Sequence, residues 1–158
     1  MRFNRALLGR FGAEVDDAVS AEIFMAVQQL PFQCYDDVPA TLRVLRERPG
    51  ISLGVLSNWT FTLPTILHHV GIDTLFERIL TSHALGAAKP DPACFRLALQ
   101  CIGATRAVYV GDSLAMDVLP ALEAGVSPIL VDRRLRYCAR KLPCPRIETL
   151  AQLLDVLP

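Results

Sequence analysis

Ala107-Val-Tyr-Val-Gly-Asp-Ser-Leu-Ala-Met-Asp-Val118 is the stretch from which the fold of this chain can be read. Ala107 to Val110 is a short apolar run with β-branched and aromatic members, the pattern of a buried parallel strand. Gly111 lets the backbone turn sharply. Asp112 then falls just past the carboxyl end of the strand, where open α/β sheets bind their ligands. Ser113 suits the N-cap of a following helix. Asp117 lies about one turn into that helix and can point back toward the same crevice. Two carboxylates converging at a strand end, with no basic neighbour close in sequence, suit a hard cation such as magnesium. The alternative at this point is a capped turn with one solvated aspartate.

Size and composition narrow the field. The chain has 158 residues, of which 52% are hydrophobic, enough for one ordinary domain with a real core. Sixteen lysines and arginines balance sixteen aspartates and glutamates, so no global field gathers nucleic acid or an anionic membrane. No apolar run approaches the roughly 18 residues needed to span a bilayer. The N-terminal residues are too polar for a signal peptide, so a cytoplasmic protein is expected. The five cysteines are odd in number and form no Cys-x-x-Cys pair, so neither a disulfide framework nor a zinc site is expected.

Strand and helix patterns alternate outward from the opening stretch. Residues 2–12 and a segment from Asp16 or Asp17 to Leu30 have amphipathic helical spacing. A helix is expected over 38–48, a strand over 51–56 and a helix over 63–70. A strand over 78–81, a loop over 83–92 and a helix over 92–102 follow. Beyond Asp112 the pattern gives a helix over 114–124, a strand over 128–131, a basic loop over 133–145 and a last helix over 147–156. Strands alternating with helices predict a parallel sheet covered on both faces.

Three strand ends place polar groups along one sheet edge: Ser57 and Asn58 after the first strand, Lys89 through a loop after the second, Asp112 and Asp117 after the third. A hydroxyl, an amide and an ammonium beside a carboxylate-bound cation make a cradle for phosphate. Taken singly, Ser57-Asn58 reads as a capped turn and Lys89 as a solvated loop lysine. Their order and their placement at strand ends favour the cradle.

In that order, Leu56-Ser-Asn58, Lys89-Pro-Asp-Pro92 and Gly111-Asp-Ser with Asp117 resemble the second, third and fourth motifs of the haloacid dehalogenase-like hydrolases. The likeness covers residues 35–133. It implies a Rossmann-like, three-layer α/β core over 34–158, with 1–33 as the remnant of a helical cap. It also implies a magnesium-dependent phosphatase of a small phosphorylated metabolite. Ser57 would bond the phosphoryl group, supported by Asn58, and Lys89 would neutralise charge as the catalytic lysine. Asp112 would ligate magnesium, and Asp117 would hold the site directly or from a second layer. The Gly-Asp-Ser form resembles the magnesium-dependent phosphatases more than the metal-free dehalogenases.

One departure stands against the match. The family's first motif is an Asp-x-Asp pair after a central first strand, and no Asp-x-Asp occurs in this sequence. The resemblance therefore implies a core without its first, central strand, an N-terminally truncated form inactive on its own. Without that strand, the strands ending at Leu56 and Val110 must pair directly, accept another segment or remain poorly ordered. Low stability and self-association through unpaired edges are expected. The reading of a different class is a non-catalytic short form that binds a phosphorylated ligand or a partner. The basic loop reads as a solvated turn, with an acidic partner as the alternative.

Overall fold

The computed structural model describes residues 30–157, with Glu22, Met25 and Ala26 upstream. The chain divides into two compact units, 1–33 and 34–158. The helices expected over 2–12 and up to Leu30 lie largely outside the described residues, and the second unit is the one described below.

The element that organises this unit is the strand Ser127–Val131, here β4, whose last four residues are all buried. Alternate side chains of a strand face opposite sides, and β4 together with Val126 just before it contributes to both core clusters. Ile129 and Val131 pack with Leu45, Ile147 and Leu153 on one side. On the other, Phe95, Ala121 and Val126 gather Leu56, Leu99 and Tyr109. The result is three layers with the sheet in the middle.

In chain order the elements are α1 (Asp37–Glu47), β1 (Gly54–Ser57), α2 (Leu63–His69), β2 (Arg78–Thr81), α3 (Ser82–Leu85), α4 (Pro92–Ile102) and β3 (Val108–Gly111). A π-helical turn over Leu114–Val118 follows. Then come α5 (Leu119–Glu123), β4, β5 (Arg146–Ile147), a 3₁₀ turn over Leu150–Gln152 and α6 (Leu153–Val156). Asp91 caps α4, accepting from the Ala93 N–H at 2.8 Å, with Pro92 in the first turn where its missing N–H costs nothing. Gly103 closes α4 in the left-handed conformation at φ +67°.

Every strand pairing is parallel, as the alternation predicts. β1 pairs with β2 from Gly54 opposite Arg78 to Ser57 opposite Thr81. β3 pairs with β4 from Val108 opposite Ser127 to Gly111 opposite Leu130, and β4 pairs with β5. The strands form two sheets, β1-β2 and β3-β4-β5. Leu53 accepts from the Glu77 N–H and Ala107 from the Ser127 N–H. Parallel strands alternate the side to which their backbone groups point, so Gly54 and Leu56 face away from β2, and Val108 and Val110 away from β4. All four line one cavity of about 800 Å³. β1 and β3 lie in separate sheets and do not pair, and no strand lies between them among the described residues.

Three local expectations are revised. The last helix expected from Ile147 begins only at Leu153, because Arg146 and Ile147 extend the sheet beside Leu130 and Val131. The loop expected after Ser82 starts with one helical turn, which Thr81 caps by accepting from the Ala84 N–H. The helix expected over 114–124 begins as a wider π turn, with the Val118 N–H reaching back five residues to the Ser113 carbonyl at 3.2 Å. No helix among the described residues is long and apolar enough to cross a membrane.

Candidate functional site

Lys89 is the centre of the candidate site. Its ammonium donates to Asp117 Oδ1 at 2.6 Å and to the Tyr109 hydroxyl at 2.7 Å. The Lys89 and Asp117 side chains are 13% and 5% exposed, so the pair is held largely away from solvent. Burying an unpaired charge is expensive, and each partner here compensates the other. The lysine is fixed from behind as well. Asn58 donates its amide to the Lys89 carbonyl at 2.7 Å and accepts from the Lys89 N–H at 2.8 Å. Those two bonds engage both polar atoms of the Asn58 amide. Asn58 thus ties the turn after β1 to the loop that carries the lysine.

The π turn is what brings Asp117 round to Lys89. Ser113 caps it by accepting from the Met116 N–H at 3.2 Å. Asp117 Oδ2 in turn accepts from the Ser113 N–H at 2.9 Å. The carboxylate therefore lies over the end of β3, where a β-carbon at Gly111 would overlap its side chain. Wide π turns of this kind recur at functional sites, and glycine is required here by the close approach of Asp117.

Tyr109 is a site residue that the sequence reading took only as part of a buried strand. Its hydroxyl accepts from Lys89 and lies 3.1 Å from Asp117 Oδ1 and 3.2 Å from the Leu56 carbonyl, both acceptors for its proton. Its ring packs edge-on against Phe95 at 4.9 Å between centroids. Burial, reinforced by the charge and hydrogen bond of Asp117, pushes the phenol far above its ordinary range, so it stays neutral. Through the Leu56 carbonyl it also spans from β3 to β1. Nothing in the sequence marks it, because an aromatic residue within a strand is accounted for by core packing.

Asp112 has a different environment. It is exposed, and its carboxylate has no hydrogen-bond or ion-pair partner among the described residues; only its carbonyl is engaged, by Arg136 at 3.2 Å. Lys89, Asp112, Asp117 and Tyr109 line the same cavity, together with Leu56. Ser57 follows Leu56 at the end of β1, half-buried, with no partner for its hydroxyl among the described residues. Of the sequence candidates, Asn58, Lys89 and Asp117 are thus joined by direct bonds, directly or through the Lys89 backbone. Asp112 stands at the same cavity with a free carboxylate. No group of three or more His, Cys, Asp or Glu side chains converges as a metal cage among the described residues.

Parallel strands thus carry a held lysine, a free carboxylate and a hydroxyl at their carboxyl ends. A family model described as haloacid dehalogenase-like hydrolase matches residues 2–125, and the chain belongs to that family. It is 38% identical over 102 residues to mouse haloacid dehalogenase-like hydrolase domain-containing protein 3, which covers 63% of this chain and 40% of the relative. It is 32% identical over 163 residues to a glyceraldehyde 3-phosphate phosphatase of Methanopyrus kandleri, covering 96% of this chain and 69% of that protein. Among solved structures, a haloacid dehalogenase-family phosphatase from Thermococcus onnurineus superposes with a TM-score of 0.70 at 29% identity, over 78% of this chain and 57% of that one. The chain thus spans about 40% of the length of the mouse relative.

Proposed function

We propose that this site holds the phosphoryl group of a small phosphorylated metabolite, with magnesium, as part of a phosphohydrolase. The observation that carries the reading is the meeting, at one strand-end cavity, of a held ammonium and an uncommitted carboxylate. Lys89 offers positive charge to phosphoryl oxygens, and Ser57 offers a hydroxyl donor. Asn58, Tyr109 and Asp117 keep the lysine in place.

The residues fit magnesium in one respect. Magnesium is commonly bound by one or two carboxylates, with waters and substrate phosphate completing the shell, and Asp112 has a carboxylate free for this. Asp117 is the less suitable ligand, because both of its oxygens already accept hydrogen bonds; we assign it to the layer behind. When bound, the ion supplies Lewis-acid charge stabilisation at the phosphoryl oxygens. A cytoplasmic setting goes with such a substrate and with five cysteines that are all free thiols.

The covalent route of this chemistry needs a carboxylate nucleophile, and no Asp-x-Asp pair occurs in the 158 residues. The cavity between the unpaired sides of β1 and β3 supports the reading that an extended segment completes the site. On this reading the chain alone is inactive. Spontaneous hydrolysis of phosphate monoesters is so slow that enzymes supply up to about 10²¹-fold, so charge stabilisation without a nucleophile gives no measurable rate. Purified chain with magnesium and p-nitrophenyl phosphate is expected to give no turnover above blank. Turnover that disappears in Lys89→Ala overturns the incomplete-site reading. The absent Asp-x-Asp equally favours a second reading, a short form that binds a phosphorylated ligand without turnover. An in-frame Asp-x-Asp strand in the upstream reading frame decides against it.

A further inference from the structure

The peptide that joins Asp112 to Ser113 is held at both of its polar atoms. Its N–H, on Ser113, donates to Asp117 Oδ2 at 2.9 Å. Its carbonyl, on Asp112, accepts from the Arg136 guanidinium at 3.2 Å. A peptide unit is planar, so two bonds to its opposite edges fix its orientation. Gly111, one residue earlier, is already fixed in β3 opposite Leu130. The Asp112 α-carbon lies between these two anchored groups, so its side chain leaves the backbone in one direction. The carboxylate itself has no partner among the described residues to aim it.

Arg136 is in turn built into place. Asp132, directly after β4, is 1% exposed. Its carboxylate accepts from the Arg136 N–H at 2.8 Å and the Tyr137 N–H at 2.9 Å, and Arg146 joins it at 3.4 Å. Hydrogen bonds to a charged acceptor are the strong ones. Leu135, just before Arg136, takes φ +53°, a conformation that a bulky non-glycine residue rarely adopts. The Arg136 guanidinium also stands 5.7 Å from the centre of the Tyr137 ring. A line of support thus runs from β4 through Asp132 and Arg136 to Asp112, and phosphate binding at Lys89 makes no use of it.

We infer that Arg136 is a positioning residue for the divalent cation: it acts through the Asp112 carbonyl, not on the ligand, and sets the Asp112 carboxylate for the ion. This rests on the proposed role of Asp112 and adds the group that aims it.

Titration calorimetry of the full chain with magnesium chloride, in the presence of inorganic phosphate, reads the affinity for the ion in the wild type and in Arg136→Met. Inorganic phosphate titrated without magnesium is the second readout. Removing a positive charge near a cation site would by itself tighten the ion, so charge and positioning predict opposite signs. Arg136→Met is expected to weaken magnesium by about threefold to tenfold, the scale of one net hydrogen bond, and to leave phosphate affinity without magnesium unchanged. Magnesium held equally or more tightly by Arg136→Met overturns the assignment with the cation site intact. So does a loss of phosphate affinity without magnesium, since Arg136 then touches the ligand. A wild type that binds no magnesium overturns the role of Asp112, and the assignment with it.

Discussion

At the scale of single residues, the site depends on how Lys89 is held. Asp117 and Tyr109 both accept from its ammonium, and the tyrosine hydroxyl also reaches the Leu56 carbonyl across the gap between the sheets. Tyr109→Phe removes that hydroxyl and keeps the ring packed on Phe95. A net hydrogen bond contributes about 0.5–1.5 kcal/mol and an orphaned buried partner costs about 1–3. Urea unfolding of Tyr109→Phe should therefore show a loss of about 1–2 kcal/mol with an unchanged m-value, together with weaker phosphate binding. Full stability and unchanged phosphate affinity would show that the hydroxyl holds nothing. Of the polar residues that the sequence placed at successive strand ends, Asn58, Lys89 and Asp117 are joined by direct bonds, and Asp112 lines the same cavity as Lys89 and Asp117. Tyr109 was not legible in the sequence, because an aromatic residue within a strand is fully explained by its core packing.

At the scale of elements, the sequence marked strands and long helices well where they carry periodic apolar faces. α4 runs over Pro92–Ile102 as expected between Asp91 and Gly103. It was less informative where hydrogen bonding rather than periodicity decides. The π turn over Leu114–Val118 has the same apolar spacing as an α-helix, and only the Asp117 bonds to Ser113 and Lys89 show why it is wound wide. Arg146–Ile147 is too short for an alternating pattern, and its pairing with β4 is a tertiary effect. The loop joining them hangs on Asp132. Burial pushes this carboxyl up, but the Tyr137 and Arg136 N–H groups and the Arg146 charge outweigh it and hold the pKa below the usual range. Asp37, bonded to Arg133 and the Leu150 N–H, is lowered in the same way despite its own burial cost. A carboxyl held below its unfolded value of about 3.9 stabilises the fold fully above that pH, and the stabilisation is lost as pH falls through the folded pKa. The melting temperature should therefore drop on acidification below about pH 4. Asp132→Asn should melt lower at neutral pH and show a shallower drop. Parallel pH profiles for the two proteins would remove Asp132 from the account.

At the scale of the whole molecule, the α/β class and the parallel pairing were legible from alternation alone. The division of the strands into β1-β2 and β3-β4-β5 is not written in any local pattern. The cavity between these sheets leaves backbone groups of Gly54, Val108 and Val110 without strand partners among the described residues, while the Leu56 carbonyl is met by the Tyr109 hydroxyl. Gly54 and Val108 are exposed to solvent, so the cost of about 1–3 kcal/mol per unpaired buried group bears mainly on the half-buried Val110, against a net domain stability of about 5–15. The isolated chain is expected to unfold in a broad transition below about 50 °C, toward the low end of mesophile midpoints, and its apparent mass should rise with concentration as edges associate. A sharp calorimetric transition well above that temperature would mean the gap is satisfied within the chain.

The central claim is that Lys89 and Asp112 serve one ligand, phosphate together with a divalent ion. Titration of inorganic phosphate into the wild-type chain, with and without magnesium, tests it directly. Binding strengthened by magnesium, lost in Lys89→Ala and made magnesium-independent in Asp112→Asn is the predicted result. Phosphate binding that ignores magnesium, or that survives both substitutions, would contradict it.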